Sequence, residues 1–300
     1  TVGDYKVHAF TSSGTFTVTQ IADTNEFEVL LVAGGAGPGT QWTSGGGGGG
    51  GIINHQTGQA LTQAAYTVTV GAGGAGASYG SGWGSYTADG NPGTDSSLKL
   101  ASNSSIVLEA DISDIANLPN TTHSQPQANN KYEWNVYFHS TGGNSAKVVN
   151  GVTTQYIGRG GWHQTGYAGG GAGSGDNGDY VNASNDIVYS YTPSWATGGV
   201  ASFGGGGGDG YSTDMVAGST AYYGGGGGAG TSANGIPNLT NDTAPGGLGG
   251  GGNGSCYGGG GVNAQNGTAN TGGGGGGGCH GPRASGNGGS GVAYIKYKFQ

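Results

Sequence analysis

Gly71-Ala72-Gly73-Gly74-Ala75-Gly76 spells G-x-G-x-x-G directly after an alternating run, Ala64–Val70. In a dinucleotide site such glycines let a pyrophosphate approach the backbone at a helix N-terminus. The residues that follow, ASYGSGWGSY, have no helical periodicity, so the helix that would present the phosphate is absent from the pattern. Val29–Gly39, VLLVAGGAGPG, has the same strand-to-glycine start, but Pro38 and the polar TQWTS lead to another glycine run. A second chemistry is calcium binding. Gly204–Ser212, GGGGGDGYS, fits one nonapeptide of a calcium-binding β-roll with Asp209 at the acidic position. No second copy stands nine residues away, so the stretch reads as a glycine run ending in a turn. Asp176 and Asp179 in GDNGD could hold a cation. Asp-Asn-Gly is turn chemistry first.

Nucleophilic and metal chemistry find no constellation either. His8, His55, His123, His139, His163 and His280 stand outside any H-E-x-x-H or C-x-x-C setting. Cys279-His280 puts a thiol near an imidazole without a third, positioning group. There is no G-x-S-x-G elbow. The chain is expected to be no enzyme and to use no cofactor or metal; an enzyme acting on surface glycans is the weakest reading. Cys256 and Cys279 sit in similar settings, GNGSCYGGGG and GGGGGGGCHGP. They are either one disulfide of an oxidising compartment or two buried thiols.

Aromatic residues in polar loops are the better functional lead. SYGSGWGSYTADG carries Tyr79, Trp83 and Tyr86; GRGGWHQTGY carries Trp162 and His163; VYSYTPSW carries Tyr189, Tyr191 and Trp195. Such rings beside hydroxyls and amides suit saccharide or protein surfaces, because they give contact area at low entropic cost. The structural alternative is that they cap glycine segments or fill a subunit interface.

The elements that would position these residues follow from composition. Of 300 residues 76 are glycine and only 8% are charged, with a formal net charge of −8. The glycines come in unbroken runs with only 8 prolines, which excludes collagen. Apolar flanks argue against a flexible linker. Eight Lys+Arg cannot neutralise many phosphates, so neither nucleic acid nor an anionic membrane surface is an expected partner. No apolar stretch approaches the roughly 20 residues of a membrane helix. The first residue is Thr1, as in a processed chain or a fragment.

Period-two patterning marks strands at both ends. Tyr5–Gln20 has two alternating runs around Ser12-Ser13-Gly14 and predicts a hairpin. EFEVLLVAG predicts a third strand covered on both faces, and AAYTVTV (Ala64–Val70) a fourth. The closing GVAYIKYKFQ puts Ala293, Ile295, Tyr297 and Phe299 on one face and Lys296 and Lys298 on the other. The two ends are expected to share a sheet. Thr94–Thr141 has no glycine; it contains a helical pattern (Ile112, Ile115, Leu118) and an alternating one (Tyr132, Trp134, Val136, Phe138). Residues 102–156 are therefore expected to be a glycine-poor insertion or subdomain within a single glycine-rich domain spanning residues 1–300.

Long glycine runs order only if neighbours return what is lost in entropy. An extended three-residue helix directs its N–H and C=O groups outward; a run of seven spans about 22 Å, and without Cβ atoms such helices can bond sideways in layers. The expected fold is thus all-β, with terminal antiparallel strands combined with stacked polyglycine II-like helices and little α-helix.

HAFTSSGTFTV, EVLLVAGGAG, YTVTVGAGGAG and the closing GGSGVAYIKYKF, in that order around glycine runs, resemble the glycine-rich domain of phage tail-fibre and tip proteins. The resemblance is strongest over Tyr5–Gly76 and Gly272–Phe299. It implies a polyglycine II sandwich whose loops contact the host receptor, a glycan or outer-membrane protein, on a virion (extracellular) in a homo-oligomer such as a trimer. The alternative is a secreted or cell-surface protein that self-assembles into a filament or matrix.

Overall fold

A computed structural model describes residues 4–21, 26–41, 46–78, 87–88, 90–112, 143–158, 170–178, 180–181, 187–188, 205–216, 218–230, 243–255, 262–279 and 283–298. Its regular elements are all strands: β1 (Tyr5–Phe10), β2 (Gly14–Thr17), β3 (Phe27–Val32), β4 (Thr40–Gln41), β5 (Ile53–Gln59), β6 (Ala65–Thr69), β7 (Thr87–Ala88) and β8 (Ser96–Leu100). There follow β9 (Ile106–Ala110), β10 (Ser145–Val149), β11 (Val152–Tyr156), β12 (Tyr180–Val181), β13 (Ile187–Val188), β14 (Tyr211–Thr213), β15 (Ala221–Tyr223) and β16 (Val292–Lys298). No helix among the described residues is long and apolar enough to cross a membrane.

The patterning sorts the strands. In β6, Tyr66 and Val68 are buried while Thr67 and Thr69 are exposed, as alternation requires of a half-covered strand. β3 is apolar nearly throughout and is covered on both faces. The six-stranded sheet runs β1-β16-β3-β5-β10-β11 and the four-stranded sheet β2-β6-β8-β9. Val29, Leu31, Ala293 and Ile295 meet Phe16, Tyr66, Val68 and Leu98 between the two sheets. Leu30, Val32, Ile53 and Val292 point the other way, under Met215 and Tyr223 of the β14–β15 hairpin. Each such fully buried aliphatic side chain contributes about 2 kcal/mol of transfer free energy.

The two chain ends do share a sheet, since β1 and β3 flank β16. Tyr5–Gln20 is not a hairpin. β1 pairs with β16, and β2 pairs with β6 in the other sheet. The two strands lie in different sheets and face each other across the core, with His8 edge-on to Phe16 at 5.3 Å. Ser13 Oγ instead accepts the Val70 amide. Ends of the 102–156 stretch lie in the sheets as β9, β10 and β11. Its helical pattern beyond Ile112, and its alternating run Tyr132–Phe138, lie outside the described residues, as does Phe299.

Between the strands run extended glycine segments that bond to one another with a repeat of three residues. Ala33 and Ala36 donate to Ile52 and Gly49; Gly34 and Gly37 donate to Thr94 and Asn91; Gly35 donates to Gly289. Gly34 and Gly35 thus bond to neighbouring segments and face no cleft. The segment 272–278 is surrounded. Gly274 and Gly277 donate to Gly225 and Gly228, Gly275 to Ala36, and Gly276 to Gln265. It accepts from Gly51 and Gly48, from Gly252 and Ser255, and from Gly289 and Gly286.

These contacts leave no room for a side chain. A Cβ on Gly207 would stand 2.0 Å from the Gly226 carbonyl oxygen, and one on Gly227 1.9 Å from that of Gly275. A Cβ on Gly14, in β2, would meet only the Phe10 ring, at 3.5 Å. Gly207→Val is therefore expected to lower stability by about 3 kcal/mol or more, through strain and lost backbone bonds. Gly14→Ala is expected to change it by less than about 1 kcal/mol. Urea unfolding of both variants checks this; an unchanged midpoint for Gly207→Val would remove the steric argument.

Candidate functional site

The bonding register gives the glycine array two ends. At one end lie junctions with the six- and four-stranded sheets and the β14–β15 hairpin: Ala33 after β3, Ile52 before β5, Gly71 after β6, Asp95 before β8, Gly210 before β14, Gly224 after β15 and Gly291 before β16. Positive φ at Gly224 (70°) turns the chain from Tyr223 into the array. Buried hydroxyls bridge this junction. Ser96 Oγ donates to the Val32 carbonyl at 2.7 Å and accepts the Gly71 amide. Ser174 Oγ donates to the Tyr223 carbonyl at 2.9 Å and accepts the Tyr211 amide.

At the remote end the register brings together Pro38 and Ala77, Ala77 and Ser285, Gly277 and Ser255, Ala244 and Gly254, and Gly205 and Ala229. Ser285 relays one bond there, accepting from the Gly278 amide and donating to the Gly39 carbonyl at 2.7 Å. The chain leaves the described array at this end after Ala77 and re-enters near Gly90; it re-enters again at Gly170 and Gly205. At this end β4 pairs with β7, which directly follows residues 79–86.

Tyr79, Trp83, Tyr86, Trp162, His163, Tyr189, Tyr191 and Trp195 lie outside the described residues. What is described is where the chain departs towards them. Asp179, Cys256, His123, His139 and His280 lie outside as well; Cys279 is buried. The acidic residues singled out by the sequence serve the backbone. Asp209 Oδ1 accepts the Leu248 amide at 2.8 Å, and Asp176 Oδ1 accepts the Asn177 amide. Gly71–Gly76 bonds into the array and no helix follows within the described residues. Among the described residues no group of three or more His, Cys, Asp or Glu converges as a metal site would require.

Tertiary structure assembles one polar cluster that no sequence spacing announces. Glu28 (β3), His55 (β5) and Lys296 (β16) meet on the sheet face that also buries Leu30 and Val32. Glu28 Oε1 lies 3.0 Å from His55 Nε2, and Glu28 Oε2 lies 2.9 Å from Lys296 Nζ. His55 Nδ1 lies 2.7 Å from the Tyr211 hydroxyl. A carboxylate only accepts, so Nε2 carries the proton and, in the neutral ring, Nδ1 accepts from the phenol. Lys147 Nζ stands 5.6 Å above the Tyr211 ring and 5.5 Å above that of Tyr156.

The order phenol–imidazole–carboxylate is that of a nucleophile relay, but its phenol is pushed away from ionisation. The hydrogen bond from His55, assisted by Lys296, holds the Glu28 pKa below its ordinary value. Burial, then Glu28 and Asp214, push the Tyr211 phenol up, away from ionisation. The cluster braces the β14–β15 hairpin on the sheet, together with the 3.2 Å bond from the Tyr223 hydroxyl to that of Tyr294.

Two groups make the fold acid-sensitive. Burial, then Lys6, keep His8 below its ordinary pKa of 6.5. Its contribution is full above that value and is lost as pH falls below it toward the folded pKa. Glu28 contributes above its ordinary 4.5 and loses that contribution as pH falls through its depressed folded value. Urea midpoints are expected to fall first below about pH 6.5, a slope flattened by His8→Phe, and again in stronger acid, a slope flattened by Glu28→Gln. Parallel slopes in variant and wild type would show that neither group titrates on unfolding.

The glycine-rich domain family matches residues 11–298, nearly the whole chain, and the chain belongs to that family. No curated protein matches it.

Proposed function

We propose that this glycine-rich domain protein is a host-recognition module of a phage fibre or tail tip, binding a bacterial surface glycan or outer-membrane protein through the loops between its glycine segments. The reading is one of binding without catalysis, in an extracellular virion setting and in a homo-oligomer. The observation that carries it is the polarity of the array. The terminal strands β1 and β16 belong to the sheet end, whereas the segments that carry Trp83, Trp162 and Trp195 are reached from the remote end. A rigid stalk of that kind holds variable loops away from the point of attachment.

We also propose that the glycine segments are polyglycine II-like helices. Support comes from the three-residue period of the donors and from the many neighbours of the segment 272–278. Such an array leaves its loops little part in holding the fold, so they can change freely while the scaffold stays the same.

Binding of the purified chain to a panel of bacterial envelope fractions and isolated surface polysaccharides tests the function. Trp83→Ala, Trp162→Ala and Trp195→Ala are expected to leave the melting temperature within about 2 °C of wild type, and at least one to weaken binding by about tenfold or more. Spontaneous polymerisation without envelope binding would favour the filament alternative. An intact chain that binds no fraction would end the adhesin reading.

A further inference from the structure

Asparagine followed by glycine readily loses its side-chain amide, because glycine leaves the next backbone nitrogen unhindered. The chain has six such pairs, beginning at Asn150, Asn177, Asn234, Asn253, Asn266 and Asn287. Asn234 lies outside the described residues. In four of the remaining five the glycine nitrogen is already engaged. Gly178 donates to Ile157 at 3.2 Å, Gly254 to Ala244 at 2.9 Å, and Gly267 and Gly288 to Asn287 and Gly74 at 2.8 Å. A nitrogen whose proton is held in such a bond reacts only when its segment opens.

Asn150–Gly151 is arranged differently. At φ of 48° and 79°, the pair closes the β10–β11 hairpin in the two-residue turn that matches strand twist. Both residues are exposed. The Gly151 N–H finds no acceptor among the described residues, and a Cβ on Gly151 would meet nothing within 4 Å. It is the Asn150 side chain that is held. Its Oδ1 accepts the Thr57 amide at 2.8 Å and the Thr57 hydroxyl at 3.2 Å. The Asn150 amide donates to the His55 carbonyl at 3.0 Å. These bonds prolong the parallel ladder of β5 and β10 beyond its last pair, His55↔Val149.

We propose that Asn150 is a self-modification site, converted through a succinimide to aspartate and isoaspartate while the chain is folded. Hydroxide removes the Gly151 amide proton. The nitrogen attacks Asn150 Cγ, a C–N bond forms and closes a five-membered ring, and the carbonyl electron pair moves onto Oδ1. The two Thr57 donors already point at that atom, so they stabilise the charge as it develops. The pair returns, the Cγ–Nδ2 bond breaks, and ammonia leaves with a proton from water, which restores the hydroxide. Water then opens the imide at either carbonyl, giving aspartate or isoaspartate at position 150. Both products add a negative charge to a chain of net −8. Aspartate keeps an acceptor for Thr57. Isoaspartate routes the main chain through the former side chain, which lengthens it by a methylene and removes the turn geometry. The change therefore marks the age of a chain at one hairpin tip. This inference stands apart from the loop-binding function, because the hairpin belongs to the six-stranded sheet.

Peptide mapping by mass spectrometry tests it, on the full chain aged at mildly alkaline pH and then digested with trypsin. Cleavage after Lys147, Arg159, Arg283 and Lys296 isolates Asn150 in residues 148–159 and Asn287 in residues 284–296. In the folded chain Asn150 is expected to convert at least about tenfold faster than Asn287. An isoaspartyl methyltransferase is expected to label the 148–159 peptide. In urea the two rates are expected to converge, because the difference lies in the fold. Thr57→Val removes one donor to Oδ1 and is expected to slow Asn150 by about threefold or more. The Asn287 rate in the same digest reports whether that variant has stayed folded. Equal rates at Asn150 and Asn287 in the folded chain, a difference that persists in urea, or an Asn150 rate indifferent to Thr57→Val would each overturn the proposal. None of these results bears on envelope binding.

Discussion

The structure depends on backbones that approach closer than any side chain permits. Around residues 272–278 most amides point at carbonyls of neighbouring segments, those of Gly273 and Gly278 at the Thr271 and Ser285 hydroxyls, and at Gly273, Gly274, Gly275 and Gly276 the position a Cβ would take is already filled by main-chain atoms. This inverts the usual logic of a core. Apolar side chains normally hold the interior, and the backbone satisfies itself within helices and sheets. Here the interior of the described glycine array is backbone, and hydrogen bonds between segments take the place of side-chain packing. A buried peptide group left unpaired costs free energy, so the segments hold each other in register or not at all.

That constraint explains the rest of the composition. Where a segment has room outward, alanine appears, as at Ala72 and Ala75. Where a segment meets a strand, a small hydroxyl finishes the bonding, as at Ser96 and Ser174. At the margins, Asn and Asp accept amides that no carbonyl in the array reaches: Asn287 takes that of Gly76, Asn253 that of Gly246, and Asp209 that of Leu248. Asp209 is the one of these that looks chemical in the sequence, and its carboxylate is engaged by the Leu248 amide at the edge of the array, while Gly71–Gly76 bonds into it.

The side-chain core is consequently small and sits to one side. It is made by the two sheets and by the β14–β15 hairpin, and it anchors the end of the array through which the segments enter and leave the sheets. The Glu28–His55–Tyr211 brace belongs to this junction. It ties a hairpin suspended between two glycine segments to the strands below. His55 is nearly buried, and only its two partners let a polar ring sit there.

Much of this was legible in the residues. Alternation in Ala65–Thr69 and Val292–Lys298, and the unbroken apolar run of β3, follow from local pattern, and so does the all-β class. The density of glycine by itself required close backbone approach, because nothing else favours so costly a residue in ordered runs. Partner choice was not local. Tyr5–Phe10 and Gly14–Thr17 read as a hairpin because adjacency in sequence and a turn residue are all that a single stretch displays; in the fold they part into different sheets, one beside β16 and the other beside β6. The polar brace takes one residue from each of four distant stretches, so no spacing could reveal it. The sequence by itself determined that the chain ends extend as strands and that the long glycine runs stay bare, since both depend on side-chain size and alternation. Only the tertiary structure decided which segment bonds to which and at which end the loops emerge, because those follow from long-range register among near-identical runs that no local pattern tells apart.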